Sequence, residues 1–130
     1  MPAATSEPTV LVVDDEVLIR MAISEYLCDC GFRVVEARSG DEAILVLQAG
    51  VTVDVVFAEV HMPGERDGID LAHWVRRERP DVKVILTSGV ARAAREADHL
   101  CAEASLIAKP YDQEDLQLRI HELLGRQISS

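Results

Sequence analysis

Four stretches of this chain end in groups whose chemistry would be complementary if they met. Asp14, Asp15 and Glu16 follow the apolar run Val10 to Val13, and Glu59 follows Val55 to Ala58. Thr87 and Ser88 follow Val84 to Leu86, and Lys109-Pro110 follows Leu106 to Ala108. Carboxylates brought within several ångströms of one another repel by roughly 1 to 4 kcal/mol per close pair, depending on the effective dielectric. Such a cluster calls for cations. Lys109, one of only two lysines in a chain that otherwise uses arginine, would supply one positive charge and a divalent metal the rest. Oxygen ligands from Asp14, Asp15, Glu59 and backbone carbonyls suit hard Mg²⁺ better than Zn²⁺, which prefers nitrogen or sulfur. His61 lies close by in sequence, but a lone loop histidine makes no zinc site.

These groups can converge only if the elements carrying them run side by side. From Thr9 onward, short β-branched runs alternate with longer helical patterns, the signature of a parallel sheet wrapped by helices. The strand candidates are Thr9 to Val13, Arg33 to Ala37, Val53 to Ala58, Lys83 to Thr87 and Ser105 to Ala108. Several are near-continuous apolar runs, as strands buried on both faces require. The first helix carries Leu18, Ile19, Ala22, Ile23, Tyr26 and Leu27 at helical spacing and stops at Gly31. The second opens with Ser39 and Glu42 in capping-box register and ends near Gly50. A third begins around Asp67 and Gly68 and meets Pro80; a fourth, alanine-rich, is expected from about Ala91 to Cys101. The fifth runs from Asp112 to about Leu124 with the apolar stripe Leu116, Ile120, Leu123 and Leu124, and Arg126 near its end favours the helix dipole. In an open α/β sheet of this kind, ligands bind at the carboxyl ends of the strands, where all four polar groups fall. Asp14 and Asp15 alone could be helix caps; four such groups in order argue for a site.

The bulk properties narrow the function. A chain of 130 residues with 48% hydrophobic residues has room for one domain with one core. We expect a tail over residues 1–8, the domain over 9–125 and a second tail over 126–130. A formal net charge of −10 argues against nucleic acid and against anionic membrane surfaces as partners. No apolar run approaches the roughly 20 residues of a membrane span, and the first residues lack a signal-peptide pattern, so a cytoplasmic location is expected. Cys28, Cys30 and Cys101 are read as free thiols, and Trp74, on an apolar helical stripe, as a core residue.

The ordered motifs resemble response-regulator receiver domains of two-component signalling. Val-Leu-Val-Val-Asp14-Asp15-Glu16 opens the pattern, and Asp54-Val-Val-Phe-Ala-Glu59-Val-His-Met62-Pro63-Gly64 forms its centre. Thr87-Ser88-Gly89 follows and Lys109-Pro110-Tyr111 closes it, so the resemblance spans roughly Thr9 to Leu124. It implies an α/β fold of the doubly wound (βα)5, flavodoxin-like kind, with a five-stranded parallel sheet in order 2-1-3-4-5. By the same resemblance Asp15 would bind Mg²⁺ directly and Asp14 through water, with Glu59 and the backbone carbonyl of His61 completing the metal site. Thr87 and Ser88 would hold a phosphoryl group, and Lys109 would pair with it or with the acid at position 59. Lys109-Pro110 would be a cis peptide, a form tolerated mainly before proline. The partners implied are a sensor histidine kinase or phosphotransfer protein, a downstream protein docked on the face of the fourth helix, fifth strand and fifth helix, and a second copy in a homodimer.

Three departures from the family pattern matter. Glu59 stands where the family carries its phosphoacceptor aspartate, and one extra methylene moves a carboxylate by about 1.5 Å, enough to spoil an in-line attack. Glu59 would also imitate a phosphoryl group only in part, since that group brings about −1.5 to −2 charge and three acceptor oxygens. Leu106 occupies the position of the family's switch tyrosine or phenylalanine. The loop from Pro63 to Gly68 is one residue longer than the commonest form, which could bring Glu65 or Arg66 over the pocket, although a surface insertion is the favoured reading. The function expected is that of a stand-alone receiver, phosphomimetic or non-phosphorylatable at Glu59, and not an enzyme. The alternatives are a pseudo-receiver interaction module without phosphoryl chemistry and, less favoured for want of a P-loop or substrate cap, a small Mg²⁺-dependent phosphohydrolase.

Overall fold

The computed structural model describes residues 7–89 and 104–125. Its strands are β1 (Thr9–Val13), β2 (Arg33–Ala37), β3 (Val55–Glu59), β4 (Lys83–Ser88) and β5 (Ala104–Ala108). The helices among the described residues are α1 (Val17–Asp29), α2 (Gly40–Gln48), α3 (Gly68–Glu78) and α4 (Gln113–Leu123). All strand pairings are parallel, as the alternation of elements predicts, and the order is β2-β1-β3-β4-β5, as the family resemblance implies. The helix expected from Ala91 to Cys101 lies outside the described residues, as do Arg126 and most of both expected tails.

The sheet divides the apolar interior in two, because successive side chains of a strand point to opposite faces. Leu11, Val13, Val56, Ala58, Val84 and Leu86 pack with α2 and α3 on one side. Val10, Val12, Val55, Phe57, Ile85 and Ile107 pack with α1 and α4 on the other. β1 and β3 are buried along their whole length, which is why they read as unbroken apolar runs.

Local chemistry sets the helix ends. Ser39 accepts a hydrogen bond from the Glu42 N–H at 3.1 Å, but the Glu42 carboxylate reaches the Arg38 N–H, one residue ahead of the cap the sequence predicts. At α3, Asp67 and Asp70 form a full reciprocal capping box. Gly31 and Gly50 follow α1 and α2 with positive φ of 98° and 89°, the left-handed exit that glycine adopts without strain. The inward face of α1 differs from the expected stripe: Ile23, Ser24 and Leu27 are buried, whereas Leu18 is 80% exposed and Ile19 and Ala22 are exposed as well. Apolar residues cover more of this helix than the sheet can accept. Leu116 and Ile120 are fully buried on α4, as expected, and Trp74 packs half-buried on the α2/α3 side.

Candidate functional site

The strand alternation that builds the core also gathers the polar groups. Glu59 is two residues beyond Phe57, Thr87 two beyond Ile85, Asp14 two beyond Val12 and Lys109 two beyond Ile107, so all four continue the α1/α4 face. Their strands are in register: Glu59 faces Thr87, and the Asp14 N–H donates to the Ala37 carbonyl and the Lys109 N–H to the Ser88 carbonyl, each extending its ladder by one step. Adjacent strands lie about 4.8 Å apart. The carboxyl ends of β1, β3, β4 and β5 thus present two acids, a hydroxyl and an amine to one crevice.

Within it the Lys109 ammonium and the Glu59 carboxylate form a direct hydrogen-bonded ion pair. The Glu59 side chain is 11% exposed and that of Lys109 37%. Asp14 is buried, and its Oδ1 accepts the Glu16 N–H at 2.9 Å. Burial pushes the Asp14 carboxyl above its usual range; the Glu16 N–H opposes this, the neighbouring charges of Glu59 and Asp15 add to it, and Lys109 partly offsets them. Asp15 and His61 are exposed. Among the described residues no three His, Cys, Asp or Glu side chains are gathered closely enough to hold a metal, in keeping with Glu59 being engaged by Lys109. Thr87 and Ser88 are both buried, and the Thr87 hydroxyl finds no hydrogen-bond partner among the described residues. The Lys109-Pro110 peptide is cis. Leu106, opposite Leu86 in the ladder, packs toward the α2/α3 side, away from this crevice.

Tyr111 is a neighbour of the site to which sequence reasoning assigned no role. Its ring meets Phe57 edge-on, with centroids 6.0 Å apart and planes at 87°. Burial first, then the negative charges of Asp14 and Glu59, push its phenol up to about 12. The signal available was its place directly after Lys109-Pro110.

The loop after β3 turns toward α2. Arg66 pairs with Asp41 at 3.6 Å, and a Cβ on Gly40 would lie 2.7 Å from the Arg66 carbonyl. Arg66 therefore borders α2, as a surface insertion would. The loop returns through Gly68, whose N–H donates to the Val60 carbonyl at 2.9 Å. A Cβ there would lie 2.4 Å from the Glu59 carbonyl oxygen and 2.9 Å from the Val60 Cα, so only glycine lets α3 start against the end of β3.

Comparison with known proteins agrees with this arrangement. A family model described as response regulator receiver domain matches residues 10–121. The chain is 38% identical over 122 residues to the sensor kinase CckA of Brucella abortus, covering 92% of this chain and 13% of that protein. It is 33% identical to the transcriptional regulatory protein ResD of Bacillus subtilis, covering 94% of this chain and 50% of that one. It thus spans half or less of the length of these relatives. A response regulator receiver protein from Sinorhizobium medicae superposes with a TM-score of 0.85 at 28% identity, over 92% of this chain and 96% of that one. Response regulator protein TrrA from Thermotoga maritima, solved in complex with Mg(2+)-BeF, superposes with a TM-score of 0.79 at 27% identity, over 89% of this chain and 98% of that one. The crevice of acids, hydroxyl and lysine at the carboxyl end of the sheet, and the family match across nearly all of the sequence, place this chain in the response regulator receiver domain family.

Proposed function

We propose that this receiver carries at position 59 a permanent carboxylate in place of a transferable phosphoryl group, and that it signals through protein contacts without being phosphorylated there. The observation that carries this reading is the Glu59–Lys109 ion pair. The lysine is already engaged by the longer acid, while the buried Thr87 hydroxyl is left without a partner among the described residues. A phosphoryl group, with three acceptor oxygens, could serve both groups; Glu59 serves one. The side chain is therefore a half-mimic, satisfying the β5 side of the site and leaving the β4 side open.

Mg²⁺ is the metal that the family implies, and the residues present fit it. Mg²⁺ needs only one or two carboxylates and keeps several waters; Asp14 and Asp15 supply two, with the His61 carbonyl as a third oxygen. The charge of Asp14 is held against burial and against two other acids, a condition that a cation relieves. When bound, the metal would neutralise the acidic crevice and any anionic oxygen brought to it. Glu59, tied to Lys109, is assigned here to the lysine before the metal.

A kinase or phosphotransfer protein would approach the mouth of this crevice. For a downstream partner, a groove of about 330 Å³ runs along β5 and α4, lined by Leu106, Pro110, Tyr111, Leu118 and Arg119 among others. It supports a docking role for that side.

The test is phosphotransfer from a histidine kinase with radiolabelled ATP, run on the chain and on Glu59→Asp in parallel. The expected result is no label on the chain and a hydroxylamine- and alkali-labile, Mg²⁺-dependent label on Glu59→Asp. Label on the unaltered chain that is lost in Glu59→Gln would overturn the proposal. The pseudo-receiver reading is favoured by Leu106, which points its side chain away from Thr87 into the α2/α3 core. Failure of Glu59→Asp to accept phosphate from any donor would decide for it.

A further inference from the structure

Arg20 is a charged residue on the second turn of α1 whose side chain is only 15% exposed. Its guanidinium is forked between two acceptors. Nε donates to the Glu36 carboxylate on β2 at 2.8 Å, and Nη1 donates to the backbone carbonyl of Asp14 at 2.8 Å. The Asp14 carbonyl belongs to the peptide that joins Asp14 to Asp15. That turn is held elsewhere by the Asp14 N–H on the Ala37 carbonyl at 3.1 Å, by the Glu16 N–H on Asp14 Oδ1 at 2.9 Å and by the Arg20 N–H on the Glu16 carbonyl at 2.9 Å. The fork is the one bond among these that fixes the rotation of the peptide between the two acids.

An exposed Arg–Glu pair contributes about 0 to 1 kcal/mol to stability and would need no further role. Here the second arm of the fork reaches the main chain between two carboxylates, where a small rotation swings Asp15 relative to Asp14. Arg20 bonds the main-chain carbonyl of Asp14 and not its carboxylate, so its influence runs through geometry. A planar fork holds both acceptors in fixed directions, which the rotatable ammonium of a lysine on its flexible stem does not.

We propose that Arg20, braced by Glu36, is a positioning residue that sets the peptide between Asp14 and Asp15 so that both carboxylates serve one Mg²⁺. This rests on the metal assignment made above. Residues that orient metal ligands from behind typically change metal affinity by about 10 to 100-fold when removed.

The experiment is calorimetric titration of the full chain with Mg²⁺ alone, well below the melting temperature of each variant, alongside Asp15→Asn, Arg20→Ala, Arg20→Lys and Glu36→Leu. Asp15→Asn is expected to abolish binding. Arg20→Ala is expected to weaken it about 10 to 100-fold, with Arg20→Lys between it and the unaltered chain. Ile120→Val, a core change on α4, lowers stability without touching the turn and is expected to keep the original affinity, which separates positioning from general loosening. If Arg20→Ala fails to fold, Glu36→Leu frees the same fork from its exposed side and is expected to lose about 10-fold. Unchanged affinity in the folded Arg20 and Glu36 variants, with Asp15→Asn inactive in binding, overturns the positioning role alone. Absence of saturable Mg²⁺ binding by the unaltered chain overturns the metal assignment and the positioning role with it.

Discussion

The two halves of the Glu59–Lys109 pair should respond unequally to removal. Glu59 is nearly buried and faces the buried Asp14, whereas more than a third of the Lys109 side chain is in water. Lys109→Met keeps the aliphatic stem but leaves two acids without their cation. Unit charges at about 4 Å interact by about 1 kcal/mol in bulk water and about 4 kcal/mol at an effective dielectric of 20. With one partner this exposed, the lost attraction belongs near the lower end, and the unrelieved repulsion between Glu59 and Asp14 raises the expected cost to about 2 kcal/mol. Glu59→Gln loses the same attraction but also removes that repulsion, and the freed lysine can turn to solvent. Its expected change is within about 0.5 kcal/mol. For a domain of this size about 1 kcal/mol moves the melting temperature by roughly 3 to 5 °C, so Lys109→Met should melt about 6 to 10 °C lower and Glu59→Gln within about 2 °C of the unaltered chain. Thermal melts near neutral pH, in chelator and low salt, measure both. The double variant should regain most of the loss. Equal losses in the two single variants, or a larger one in Glu59→Gln, would refute the reasoning that the repulsion of Asp14 and Glu59 dominates this crevice.

Three other outcomes are expected. Thr87→Val keeps the branched shape and removes a buried hydroxyl that lacks a partner among the described residues; since such a group costs about 1 to 3 kcal/mol, urea unfolding should show a gain of about 1 kcal/mol, and a loss would mean that the hydroxyl is bonded. Gly68→Ala should lose about 1 to 3 kcal/mol from the clash with the Glu59 carbonyl, despite the better helix propensity of alanine; unchanged stability would show that α3 can slide away from β3. The Tyr111 phenol, pushed up to about 12, binds its proton more tightly in the folded chain. Its stabilising contribution is therefore complete below the ordinary tyrosine value near 10 and is lost as pH rises through about 12. Ultraviolet titration of the chain against Tyr111→Phe should reveal the delayed ionisation, and the alkaline fall in stability should be shallower in Tyr111→Phe.

Most of the framework could be read from the residues, because strands buried on both faces leave unbroken runs such as Val10 to Val13 and Val55 to Ala58. Caps and exits at Ser39, Gly31 and Gly50 depend on local chemistry and were equally legible. The orientation of α1 was not. Its apolar residues extend around so much of the helix that only the surface it meets decides that Ser24 goes inward and Leu18 outward. The site shows the same division. The placing of Asp14, Glu59, Thr87 and Lys109 at strand ends follows from the pattern, and the family resemblance gave Lys109 the acid at position 59 as a partner. That Glu59 reaches Lys109 and leaves the Thr87 hydroxyl unmet among the described residues depends on side-chain geometry. Tyr111 and Arg20 are harder to read: Tyr111 is marked only by its place after Lys109-Pro110, which says nothing of its ring against Phe57, and the bond of Arg20 to a main-chain carbonyl leaves no trace in residue type or spacing.

The shared face of Asp14, Glu59, Thr87 and Lys109 gives the site something like a reading frame. One residue added within β1, β3, β4 or β5 would reverse the phase of everything after it up to the strand's end and deliver the functional group to the α2/α3 side. Changes of side chain inside a strand leave the frame intact, and so do changes of length in the connections that precede it. The loop from Pro63 to Gly68 lies downstream of Glu59, where the frame has already been read, and Arg66 in it pairs with Asp41 on α2. Insertions and deletions in this chain are therefore governed less by how deeply they lie than by whether they fall before or after the last residue of a strand.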